Sequence, residues 1–371
     1  MAAILESDPI LDRKIRAEDW AGQGRSSLAE LRDALAACDG ERAIELLDCY
    51  LWETRLLYVG YLAWLRDWVT KIGEREQAGL WAYLERAHAH AGVFGIDELP
   101  SEIAEEATAN PAHAIALVAQ DRGSALLSGQ ALLPLSSWLE VGQAERAALE
   151  QVIGDGAWDE ARRQLDALHW LHKPYHDVYS DWLWLWMTML AQDWGEEAMI
   201  ALIADSGLRL RTAGLDMLPS IPVERQVMHL AAAMRGHRSG PGEEGDIRII
   251  EDDEKFVIEF DACGSGGRMR RPGVIDGLPA RQDAPFRFGT TSSPSPMGWG
   301  RANVPYYCLH CAAYAEMQSV DQIGYPSRVT LFNPDHSKPC AWAFYKRPED
   351  IPQEYFDRIG KLRDPKRFVR R

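Results

Sequence analysis

Four of the six cysteines, Cys263, Cys308, Cys311 and Cys340, fall in the stretch 256–340. Cys308 and Cys311 form a Cys-x-x-Cys pair just after Pro305, where the sequence predicts a helix start. Cys263 opens Cys-Gly-Ser-Gly-Gly-Arg after the apolar run 256–260, and Cys340 opens a second strand-like run, 340–345. Thiols at two strand ends and a close-spaced pair at a helix start can converge on one edge of a sheet. Thiols so gathered do one of two kinds of chemistry: they hold a tetrahedral metal, or one of them attacks as a thiolate.

In the metal reading Cys263, Cys308, Cys311 and Cys340 close a zinc site, with iron or an iron–sulfur cluster as a minor variant. In the catalytic reading Cys308 is the nucleophile or a metal ligand, its thiolate favoured by the positive end of the helix, and His310 carries the proton. Arg268 and Arg270 then hold an anionic substrate, with Tyr307, Ser265 and Gly266 lining the site and glycine N–H groups forming an anion nest. Plain buried cysteines are the third reading. Cys38 and Cys49, far away in sequence, read as inert core thiols.

The elements that must position these residues read as a small α+β unit over 246–371. Runs 246–250 and 256–260 flank a charged turn, as a hairpin does, and 327–332 and 340–345 flank Asn333-Pro334-Asp335. A helix over about 305–319 separates the pairs and another, 351–361, closes the chain. The order ββαββα implies an antiparallel sheet with helices on one face. The Pro/Gly/Ser-rich stretch 271–300 is longer than a plain connector.

Residues 1–238 carry helical periodicity instead, with short helices expected within 101–139. Two long segments match at an offset of 118 (161 − 43): Ala43/Ala161, Leu47/Leu165, Asp48/Asp166, Tyr61/Tyr179, Trp64/Trp182, Leu65/Leu183 and Trp68/Trp186. Tryptophan is rare, so this spacing predicts a duplicated, all-helical domain. The matched aromatics recur at i, i+3, i+4 and i+7, one helix face, which is either core or a pocket wall. His169, His172 and His176 occur in the second segment alone, but Pro174 predicts a helix break there, with Lys173 near a cap.

The composition is that of a globular chain, 46% apolar and 26% charged, and no apolar run is long enough to span a membrane. Its net charge of −16 argues against nucleic-acid binding. That charge is uneven: from Asp246 onward 17 acidic residues face 19 basic ones, a net of +2, which leaves −18 for 1–245. This shift and the Gly/Pro/Ser-rich stretch 236–245 predict a domain boundary near residue 240. A charged start and unpaired cysteines point to the cytoplasm, and the sequence leaves room for a homodimer.

The stretch 308–345, with cysteines on a helix, a strand, a polar loop and a strand bearing Cys340, Trp342, Phe344 and Tyr345, resembles 2-amino-thiazoline-4-carboxylate hydrolase-like proteins. The resemblance covers about a tenth of the chain. It implies ring-opening hydrolysis of a sulfur–nitrogen heterocycle with a thiol at Cys308 or Cys311; the Cys-Leu-His-Cys and Cys-Gly-Ser-Gly-Gly-Arg motifs depart from it. The resulting expectation is a thiol- or metal-dependent hydrolase or lyase acting on a small anionic molecule. The alternative is a non-catalytic binding or scaffold protein with a structural zinc–cysteine site.

Overall fold

The computed structural model describes residues 5–8, 13–17, 19–75, 77–91, 143–206, 215–237, 247–273 and 276–369; the helices expected within 101–139 lie outside them. From the N-terminus come strands β1 (Leu5–Asp8) and β2 (Arg13–Arg16), then helices α1 (Trp20–Gln23), α2 (Ser27–Ala36), α3 (Gly40–Arg75) and α4 (Gln77–Ala91). Helices α5 (Gln143–Gly154), α6 (Trp158–Trp194), α7 (Glu196–Asp205) and α8 (Val223–Gly236) follow. Then come β3 (Ile247–Glu251), β4 (Lys255–Phe260), the one-turn helix α9 (Gly266–Arg270), α10 (Gln318–Ile323), β5 (Val329–Leu331) and β6 (Cys340–Tyr345). The protein is thus mixed helix and sheet, with two small antiparallel sheets. No helix among the described residues is long and apolar enough to cross a membrane. The chain forms two compact units, Leu31–Met189 and Met1–Glu30 with Leu190–Arg371.

In the unit Leu31–Met189, long helices bury apolar stripes at helical spacing: Ala43, Leu46, Leu47 and Tyr50 on α3, then Leu65, Trp68, Val69 and Ile72. On α6, Tyr179, Trp182, Leu183 and Trp186 are fully covered. The α6 aromatic face is core, not pocket wall: Trp182 Nε1 donates to Ala87 O at 2.7 Å and Trp186 Nε1 to Tyr83 O at 3.1 Å, while on α3 Trp64 is half-buried. The break expected at Pro174 does not occur, and α6 runs through it. A proline inside a helix costs about 3 kcal/mol, whereas each large apolar side chain buried on this helix contributes about 1.5–3 kcal/mol. Packing wins.

The other unit is built on a four-stranded sheet in the order β3-β4-β6-β5, antiparallel throughout. Alternation puts Phe256, Ile258 and Phe260 of β4 on the buried face, beside Ile247 and Ile249 of β3 and Trp342 and Phe344 of β6. Helix α8 covers that face with Val223, Val227, Ala231 and Met234. The break expected near residue 240 is therefore not where the units divide, because α8 belongs to the core of the sheet. Arg235, fully buried at the end of α8, donates to Gln23 O at 3.0 Å and ties α1 to the same core.

The helix expected over 305–319 is three pieces: a 3-10 turn (Tyr306–Cys308), a π-helix (Cys311–Met317) and α10. The closing helix shrinks to Glu354–Asp357. Pro352 precedes it, and Gly360 at φ 66° turns the chain away soon after.

Candidate functional site

Phe260 and Cys340 form the terminal pair of the β4–β6 ladder. Beyond Phe260 the chain turns, so that Cys263 comes round to the end of the ladder where β6 begins. Main-chain N–H groups then close on it: Gly267 N donates to Cys263 Sγ at 3.3 Å and Arg268 N to Cys263 O at 2.8 Å. Ser265, itself buried, places its Oγ 3.5 Å from the same sulfur. Gly266 lies directly against Cys308; a Cβ there would stand 3.1 Å from Cys308 Sγ and 3.3 Å from Tyr307 Cδ1. Glycine is needed for that approach. The turn expected to cradle a foreign anion is folded against the protein's own sulfurs instead.

Cys308 ends the 3-10 turn and Cys311 opens the π-helix, while Cys263, Cys311 and Cys340 pack against the core under α8. All four are free thiols. Their surfaces are only partly covered, yet neighbouring atoms crowd each sulfur. Burial pushes the Cys308 thiol well up; Arg270 opposes the rise, and charge on Cys311, Cys263 or Cys340 adds to it. Burial likewise takes Cys311 to about 12, against the pull of Arg328, and Cys340 to about 11. This corrects the expected low-pKa thiolate at Cys308. One 3-10 turn supplies little dipole, and desolvation of a thiolate outweighs it.

The arginines are placed differently from expectation. Arg268 is fully buried and donates to Asp276 Oδ2 at 2.5 Å, and Arg281, also fully buried, donates to that same oxygen at 2.5 Å. Arg268 Nε also meets Gly264 O at 3.2 Å. This guanidinium braces the turn and is not turned out to a substrate. Arg270 donates to Asn333 O at 3.0 Å and Pro334 O at 2.8 Å, and lies over the Phe332 ring at 4.9 Å. It fixes α9 to the turn that leads into Cys340.

His310 bonds through Nδ1 to Tyr307 O, which sets Nε2 3.5 Å from Cys311 Sγ. Tyr307 is buried, with its ring edge-on to His310 at 4.8 Å. The sequence-predicted residues therefore gather in one place, except that Arg268 is engaged elsewhere in it. Among the described residues, no three His, Cys, Asp or Glu side chains stand arranged to hold a metal ion.

Sequence reasoning missed Glu316, a fully buried carboxylate on the π-helix. It accepts from Trp299 Nε1 at 3.0 Å, Thr330 N at 2.8 Å and Arg358 Nη2 at 2.9 Å. Burial pushes it up and Arg358 holds it back. Nothing in its local sequence marks it, since its partners come from three distant segments. The cluster around His176 and Asp177 that the sequence places at a surface or cap is instead buried and ionic. Lys173 Nζ meets Asp177 Oδ2 at 2.7 Å, His176 Nδ1 lies 2.8 Å from Asp177 Oδ1, and His90 Nε2 lies 2.9 Å from Asp181 Oδ2. Lys173 is thus an interior helical residue, not a cap. Cys38, expected in the core, is exposed, whereas Cys49 is buried.

No protein-family model matches the chain, and no curated protein or solved structure is significantly similar to it.

Proposed function

We propose that the sheet-bearing unit is a zinc–thiolate module in which Cys263, Cys308, Cys311 and Cys340 hold one metal, and that the protein is a binding or scaffold protein closed by that centre. The observation that carries this reading is main-chain N–H donation to the sulfur of Cys263, with Cys340 at the facing strand end. Gly267 N donates to Cys263 Sγ at 3.3 Å, and Cys340 opens β6 opposite Phe260. Such donors are what a thiolate ligand needs around it. A Cys-x-x-Cys pair between them supplies the other two ligands. Four unpaired cysteines fit a reducing compartment such as the cytoplasm.

The test is removal of the metal. A chelator should strip about one equivalent of zinc and lower the melting temperature by several degrees, through loss of the sheet-bearing unit. An unchanged melting curve after complete removal rules out a structural centre.

A second reading, a metal- or thiol-dependent hydrolase or lyase acting on a small anionic molecule, is favoured by His310 Nε2 facing Cys311 Sγ from a partly exposed position. It requires an open coordination position or a released thiolate. His310→Ala would then abolish turnover while metal content stays the same; loss of metal without a kinetic effect returns the first reading.

For the helical part we propose a tandem duplication. Helices α3 and α6 begin at 40 and 158, the offset read from the tryptophans, and end at 75 and 194. The preceding helices α2 and α5 end at 36 and 154.

A further inference from the structure

We propose that the contact between α2–α3 and α5–α6 is a surface by which one helical repeat recognises another, two-fold about an axis between Gly40 and Trp158 and selective for unlike copies. This rests on the tandem-duplication reading and goes beyond it. Duplicated units can also stack head to tail, with no axis between them.

In a two-fold pair each contact is made twice, once in each direction, and only a residue beside the axis meets its own counterpart. Both signs are present. Asp48 of α3 and Asp166 of α6 are counterparts at the 118-residue offset. Arg146 of α5 reaches across to Asp48 at 2.7 Å, and Arg32 of α2 reaches across to Asp166 at 2.9 Å. Leu35 and Ile153, counterparts near the ends of α2 and α5, each lie against the start of the other copy's long helix. Arg162 Nη1 of α6 donates to Leu35 O at 3.3 Å, and Ile153 Cγ2 would stand 3.2 Å from a Cβ on Gly40. Gly40 and Trp158 open α3 and α6 and are counterparts too (158 − 40 = 118). They meet each other: the same Cβ would stand 3.4 Å from Trp158 Cη2. Further on, Tyr61 of α3 faces His176 of α6 with ring centroids 5.4 Å apart, so the long helices run side by side in the same direction.

At the axis the copies differ, and Trp158 fills the room that Gly40 leaves. Two first copies would set glycine against glycine around a void. Two second copies would force two indoles into one space. The surface therefore takes a helical repeat of the other kind as its partner, and this chain supplies one.

The experiment exchanges the axis residues in the full chain and reads thermal unfolding. G40W and W158G should each lower the melting temperature by about 3–10 °C, one by crowding and the other by a void. G40W/W158G should recover most of that loss, because counterparts across an axis stand in equivalent surroundings. Losses that simply add in the double variant, or a G40W variant as stable as wild type, overturn the proposal. Should G40W fail to fold, the reciprocal ion pairs decide. D48R and D166R set like charges against Arg146 and Arg32 and should each cost a similar amount, about 1–4 °C. A loss in only one of the two also overturns the proposal. L47A and L165A, at counterparts fully buried in the two long helices, test the duplication separately. Similar losses there with a failed axis exchange sink the pairing alone, whereas clearly unequal losses sink the duplication with it.

Discussion

Cys38 and Gly156 hold the same turn at the 118-residue offset: both have positive φ, 57° and 70°, between a short helix and a long one. The main-chain bonds repeat as well, Asp39 N to Ala34 O at 2.9 Å and Ala157 N to Val152 O at 3.1 Å. This is the helix-ending turn that glycine suits and a side chain strains. Cys38→Gly is therefore expected to stabilise the protein by about 1 kcal/mol, and Gly156→Ala to destabilise it by a similar amount. Urea denaturation of both variants checks this. A destabilising Cys38→Gly would mean that the thiol makes contacts outweighing its strain.

Asp181 is fully buried and faces His90 across α4 and α6. Truncation leaves the imidazole without that carboxylate in a low-dielectric interior. Asp181→Ala should cost about 3–5 kcal/mol, and Asp181→Asn, which retains a hydrogen-bonding side chain, clearly less. Equal losses for the two variants, by thermal or urea unfolding, would show that the charge is immaterial.

Asp276 Oδ2 is shared by Arg268 and Arg281, both fully buried. Asp276→Ala leaves two guanidiniums without it and should cost about 3–5 kcal/mol. It should also loosen the turn that carries Cys263. A variant as stable as wild type would return Arg268 to the role of an anion clamp.

Gly266 has no room for a side chain between Cys308 and Tyr307. Gly266→Ala should destabilise the sheet-bearing unit by about 1–3 kcal/mol and weaken metal binding. Unaltered binding and stability would mean that α9 shifts freely, against the account of the turn given above.

The strands were legible because one face is buried. The alternation of Phe256, Ile258 and Phe260 gives β4, and β6 spans the very residues the apolar run 340–345 marks. The strand-end positions of Cys263 and Cys340 were legible for the same reason, since Phe260 and Cys340 close the β4–β6 ladder. What escaped was set by distant partners. Arg268 looked like a clamp because Asp276 and Arg281 lie beyond it in sequence, on a stretch without periodicity. Pro174 looked like a helix end because its local cost is visible and the packing that outweighs it is not. Composition suggested a linker after α8, yet the apolar face of α8 has its partner in the strands that follow.

The central claim is that four thiols hold one metal, and elemental analysis of protein purified without added metal tests it most directly. The account predicts about one equivalent of zinc per chain, greatly reduced in Cys311→Ser and retained in Cys49→Ser, which alters a thiol in the helical unit. Metal-free protein that takes up no zinc or cobalt, with Cys263, Cys308, Cys311 and Cys340 all open to alkylation, would contradict it.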